Sequence, residues 1–188
     1  MILKNLKKLA LIALLAYPFC VEAQPNFSTK NAKISFFSST PIEDIKAASD
    51  NGMAVLVTRT RDIIFQVPIK SFEFAKGLMQ EHFNENYLES DKFPKSTFKG
   101  RIEDLSKIDF TRDGNYRVSV SGQLTIHGEA RPVNGPASFT IANGSALALA
   151  EFNINLSDYK ITIPALVKDK ISQSVKIAIK VKYTQLQP

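Results

Sequence analysis

Cysteine is nearly absent from this chain of 188 residues, with Cys20 the only one. A single thiol excludes an intramolecular disulfide framework and a multi-cysteine metal site. Histidine is almost as scarce, with His82 and His127 alone. Two imidazoles fall short of a three-ligand metal centre, and neither stands beside a base with its own orienting group. His82 is within helical reach of Glu81 or Glu85, which describes a surface pair. His127 lies in Thr-Ile-His-Gly, where its expected task is a hydrogen bond to a neighbouring strand or loop. No Gly-x-Ser-x-Gly elbow surrounds Ser119, Ser121 or Ser138, and no Gly-x-Gly-x-x-Gly or phosphate loop is present. Glu81, Glu85 and Glu89 recur at helical spacing as one solvated acidic stripe, not as a carboxylate pair in a dry cleft. The sequence points away from an enzyme and from a metal or cofactor.

A strong charge of one sign is also missing. The formal net charge is +6, spread along the chain, which reads as a solvated surface and not as a nucleic-acid footprint. The local exception is Lys168, Lys170, Lys176, Lys180 and Lys182, a series compatible with weak peripheral contact to an anionic membrane. Long apolar runs are absent too. Leu9 to Ala16 is too short to span a bilayer. It follows Lys4, Lys7 and Lys8 and precedes Val21-Glu22-Ala23, so residues 1–23 read as a secretory signal peptide cut after Ala23. A rival reading anchors the chain through a lipid on Cys20. Lipoprotein signals want small residues before that cysteine, and here Tyr17, Pro18 and Phe19 precede it. Cleavage after Ala23 predicts a periplasmic or secreted protein whose single domain is residues 24–188 and contains no cysteine. No repeat, linker or low-complexity tract divides it.

What is present is period-two alternation. Phe27 to Phe37 reads as a first strand with Ile34 and Phe36 on one face. Ser39-Thr40-Pro41-Ile42-Glu43 has the form of a capping box and predicts a short helix over 41–48, closed by a turn at Asp50-Asn51-Gly52. Ala54 to Thr60 and Ile63 to Ile69 form a hairpin, with Pro68 marking a strand end. From Phe74 to Leu88 the period becomes 3.6, predicting one helix with an apolar stripe through Leu78, Met79, His82 and Phe83. Phe98, Gly100 and Ile102 resume the alternation, and Asp113-Gly114-Asn115 predicts a tight turn. Tyr116 to Ile126 is the longest clean alternation, with Gly122 in mid-strand permitting a bend. Ala130 to Ile141, Ala146 to Leu156 and a last strand from Val175 to Tyr183 follow, separated by turns at His127-Gly128-Glu129 and Ala142-Asn143-Gly144. Eight to nine strands with short turns predict an all-β fold: a lipocalin-like, eight-stranded antiparallel β-barrel with one helix packed against it.

Several of these stretches, in this order, resemble the YceI-like family of secreted, polyisoprenoid-binding proteins. They are Phe93-Pro94 with Phe98 and Gly100, then Gly122-x-Leu124-Thr125-Ile126-His127-Gly128, Arg131-Pro132-Val133, and Asp158-Tyr159 with Ile161. Where the family carries an arginine before that acidic-aromatic pair and a glycine after it, this chain has Leu156 and Lys160. The resemblance implies a barrel whose interior holds a long isoprenoid chain, quinone-like or polyprenyl, for transport, storage or sequestration.

The residues themselves leave two readings open. Phe65, Val67, Phe98, Val118, Val120, Leu124, Phe139, Leu149 and Phe152 either fill a barrel core or line a tunnel, and an eight-stranded barrel permits both. A filled barrel would make this an envelope or stress-response protein acting through surface contacts with other proteins. A hollow one would bind an isoprenoid or other long-chain lipid without leaving a motif in the sequence. The resemblance implies the tunnel.

Overall fold

Alternation is what closes this chain on itself. The computed structural model describes residues 26–104 and 108–186; the segment read as a signal peptide lies outside them. Nine strands form: β1 Asn26–Ser39, β2 Asp44–Val57, β3 Asp62–Pro68, β4 Glu73–Phe74, β5 Lys95–Ile102, β6 Gly114–Ile126, β7 Glu129–Ala142, β8 Ser145–Asn155 and β9 Ser174–Gln185. Their neighbour order is β1-β9-β8-β7-β6-β5-β3-β2, and a β1–β2 ladder joins the ends. Every ladder is antiparallel. The result is a closed eight-stranded barrel, with two-residue β4 added beside β2 and one helix, α1 Gly77–His82, packed against it.

Turn chemistry sets the register. The β6–β7 hairpin turns through His127 (φ 52°) and Gly128 (φ 77°), and the β7–β8 hairpin through Asn143 (φ 49°) and Gly144 (φ 71°). Two successive left-handed residues make the tight loop whose twist matches paired strands. Two mid-strand glycines serve packing. Gly100 and Gly122 face each other across β5 and β6, and the Phe98 ring lies over both, 2.3 and 2.8 Å from where their Cβ atoms would stand. The aromatic ring takes the space of two missing side chains.

Four sequence expectations are corrected. Only the Thr40 half of the capping box forms, its Oγ1 accepting from the N–H groups of Ile42 and Glu43 at 3.3 and 3.1 Å. The Thr40 N–H donates to the Glu43 backbone carbonyl and the Glu43 carboxylate pairs with Lys76, and no helix follows over 41–48. The chain enters β2 at Asp44, because Ile45, Ala47 and Ser49 also alternate and β1 offers an edge to pair with. Asp50-Asn51-Gly52 is therefore not a turn; it runs inside β2, where the β1 register shifts near Ala32. Asp113-Gly114-Asn115 is not a tight turn either. Asp109 makes that turn, its carboxylate accepting from the Thr111 N–H at 2.9 Å, and β6 starts at Gly114. The helix predicted over Phe74 to Leu88 is real but shorter. Phe74 belongs to β4, and α1 gives way to a wider π-type turn over Phe83–Tyr87.

The interior is unevenly filled. At the end carrying the β2–β3 and β7–β8 turns, Phe27, Leu56, Phe139, Ala146 and Tyr183 are almost fully buried. Phe110, from the loop between β5 and β6, lies 5.5 Å from Phe27 and 6.3 Å from Phe139, ring centre to ring centre. The opposite end carries α1 and the long segment between β8 and β9, which contains the 3-10 turns Leu156–Tyr159 and Ala165–Val167.

Candidate functional site

Between the packed end and α1 lies a cavity of about 520 Å³, within the usual ~300–1,000 Å³ of small-molecule sites. Its floor is Phe139, Val181 and Tyr183, and its walls include Phe65, Val67, Phe98, Val120, Leu124 and Phe152. Aromatic rings crowd the upper end. Phe36 stacks on Phe83 at 5.5 Å and meets Phe72 and Phe74 at 5.7 Å each, while Phe74 and Phe83 stand 5.0 Å apart. Small residues make the room: Ala148 and Ala150 face inward on β8 where larger side chains would fill the space.

Eight of the nine residues chosen from the sequence border this cavity. Val118 does not. It points inward as predicted, but two residues nearer the packed end, where it is buried in the filled core. Leu149 borders the cavity from the wrong side: it sits on the outer face of β8 and is 42% exposed. The alternation of β8 gave the sign of that difference, since Phe152 shares parity with the inward alanines and Leu149 does not. Sequence reasoning missed Phe36, Phe72 and Tyr183 as lining residues. Phe36 and Tyr183 were legible, because each continues an inward alternation. Phe72 sits in no periodic segment and carried no signal.

The cavity is apolar by construction. Charged side chains reach only its margins, where Lys76 pairs with Glu43 at 3.0 Å and Glu151 with Lys176 at 2.6 Å. Burial pushes the phenol of Tyr183 well above its ordinary range, so it stays neutral. Hydrophobic transfer and shape are what such a wall offers a ligand.

Polar order is concentrated in the loops that frame the cavity. His127 bonds through Nδ1 to the Tyr159 carbonyl at 3.1 Å and through Nε2 to Glu89 at 2.6 Å. It ties the β6–β7 turn to the segments before β5 and after β8. Both partners accept, so both bonds form together only when the ring carries two protons. Phe93 packs edge-on against His127 at 4.7 Å and fills the spot a Gly128 Cβ would need, 2.5 Å away. The His127 hydrogen bond holds the Glu89 carboxyl below its ordinary value. Glu89 has a φ of 43°, so it leaves the helical path and does not join Glu81 and Glu85 in an acidic stripe. Lys160 adopts φ 55° after the Asp158-Tyr159 pair and binds Glu129 at 2.6 Å. That left-handed backbone accounts for the glycine expected at its position. Among the described residues no group of three His, Cys, Asp or Glu side chains is placed to hold a metal ion.

Solved structures with this fold share little sequence with it. A polyisoprenoid binding domain from Saccharophagus degradans superposes with a TM-score of 0.73 at 13% identity, covering 86% of this chain and 98% of its own. BcnA of Burkholderia cenocepacia gives 0.67 at 16% identity, over 81% and 96%. The YceI protein of Campylobacter jejuni gives 0.62 at 18%, over 80% and 90%. Among curated protein sequences none matches. The model of the YceI-like domain matches residues 22–183, nearly all of the barrel, and the chain belongs to the YceI-like domain family.

Proposed function

We propose that this protein is a secreted or periplasmic lipid carrier that holds the apolar chain of an isoprenoid, quinone-like or polyprenyl, inside the barrel. The observation that carries this reading is the cavity of about 520 Å³ with an apolar wall and charges only at its margins. Burying a methylene is worth about 0.8 kcal/mol, so roughly ten of them supply about 8 kcal/mol. That is the free energy of a micromolar complex, before the cost of ordering the chain. A long hydrocarbon therefore needs no polar anchor in the wall. The likeness to a polyisoprenoid binding domain supports the isoprenoid class.

Native mass spectrometry of the protein from its own host, with an organic extract analysed beside it, tests the proposal. The expected result is a discrete adduct that extracts as a long isoprenoid, on a chain beginning at Gln24. A bare mass for residues 24–188 overturns carriage and leaves a protein that works through its surface. A chain that still contains residues 1–23 overturns the export reading.

A further inference from the structure

The cavity wall is not continuous. The β7–β8 ladder runs from Ala142↔Ser145 to Ala137↔Ala150 and stops, although β7 extends back to Glu129 and β8 onward to Asn155. The sequence explains the stop. The β6–β7 ladder passes unbroken through Gln123↔Pro132 and Ser119↔Pro136. A ladder accepts proline only where the missing N–H faces away from the partner. Positions 132, 134 and 136 therefore turn their donor side toward β8, and two of the three have no N–H to give. With Asn134 as the one donor left, the strands part beyond Ala137 and Ala150.

Side chains on the outer face mark the opening. Asn134, Pro136, Leu149 and Glu151 are exposed on the outside of the barrel, yet all four border the interior cavity. Outward residues reach an inner space only where it passes between strands. Beyond the gap an outer groove continues, sharing Pro136, Leu149 and Glu151 with the cavity. In cross-strand register Arg117 and Lys180 flank this part of the groove, one strand beyond Ser138 and one beyond Leu149.

We propose that the gap is a side portal: the apolar chain of a long amphiphile passes between β7 and β8, and its anionic end, a phosphate or carboxylate, stays in the outer groove between Arg117 and Lys180. This rests on the lipid-carrier reading and adds a route and a site for the polar end. A charged end drawn into an apolar cavity loses its water without gaining a partner. In the outer groove beside the gap it keeps water and faces Arg117 and Lys180, while the groove's carboxylates, Asp50 and Glu151, are paired with Lys33 and Lys176. An opening in the side wall also lets a chain longer than the cavity lie partly outside it.

Two variants test the route with cis-parinaric acid, an 18-carbon fluorescent carboxylate, and its methyl ester as probes. In a Cys20→Ser background, Asn134→Cys and Asn153→Cys occupy positions that would face each other if the ladder ran on. Bridging them with a bis-maleimide is expected to slow uptake and release of both probes at least tenfold relative to the same protein capped with N-ethylmaleimide. Pro132→Val with Pro136→Val, which returns two donors to β8, is expected to slow them as well. Unchanged rates in the bridged protein overturn the portal and leave the carrier reading standing. Absence of any probe signal in the unmodified protein overturns both. Arg117→Gln with Lys180→Gln is expected to weaken the acid about tenfold and leave the ester unchanged. Equal effects on acid and ester, or none, overturn the outer-groove site.

Discussion

At one end of the barrel Phe110 enters from the loop between β5 and β6 and closes the space between Phe27 and Phe139. At the other end Phe36, Phe72, Phe74 and Phe83 ring a space that stays open. Both halves are built by the same inward alternation on the same strands. What separates them is a loop side chain at one end and small residues, Ala148 and Ala150, at the other. Inward-facing apolar residues make a barrel interior; whether it is a core or a container depends on what arrives from outside the strands.

The largest expected effect breaks the packed half. Phe110→Ala removes a ring with nothing to replace it, and should lower stability by about 3–5 kcal/mol in urea unfolding. A change under about 1 kcal/mol would show that the plug is dispensable and that the halves do not differ as described.

Adding volume sharpens the same contrast. Ala146→Phe, at a fully buried position in the packed half, should cost about 1–3 kcal/mol through overpacking. Ala150→Phe, four residues along the same strand and facing the cavity, should change stability by less than about 1 kcal/mol because space already exists there. If the protein is the carrier proposed above, the same variant should also lower lipid retention. Equal penalties at the two sites would mean that the cavity closes on itself in solution.

A smaller effect concerns the loops that frame the open end. Lys160→Gly should be more stable than Lys160→Ala by about 1 kcal/mol, since both lose the ion pair to Glu129 and only glycine is free of strain at φ 55°. Equal stabilities would place the strain elsewhere.

The smallest effect is a pH dependence. Glu89 is held below its ordinary value of 4.5 by the His127 hydrogen bond. A carboxylate lowered in the folded state adds stability that is complete above its unfolded value and is lost as pH falls through the folded one. The difference in melting temperature between the native protein and Glu89→Gln should hold at pH 6 and shrink as the pH falls below about 4.5. A gap of constant size down to pH 3 would rule out this contribution.

Local errors in reading the sequence came mostly from motifs, although the helical period from Phe74 overstated the length of α1. The Thr40 cap formed as its residues dictate, and still no helix followed, because an alternating segment beside an open strand edge gains more from a ladder. Asp50-Asn51-Gly52 has the composition of a turn and lies within a strand for the same reason. His127, by contrast, was read correctly as a hydrogen-bonding residue in a turn, and its partners are the Tyr159 carbonyl and Glu89.

The sequence by itself determined the all-β class, the two hairpin turns at 127–128 and 143–144, and the inward face of β6. Each follows from steric preferences that act within a few residues. Only the tertiary structure decided that Phe110 fills one end, that Phe72 joins the open one, and that the wall parts between β7 and β8. Those outcomes depend on which strands meet and where a loop folds back. The prolines at 132 and 136 show the boundary: the missing donors are written in the sequence, but the strand left without them is known only once β8 lies beside β7.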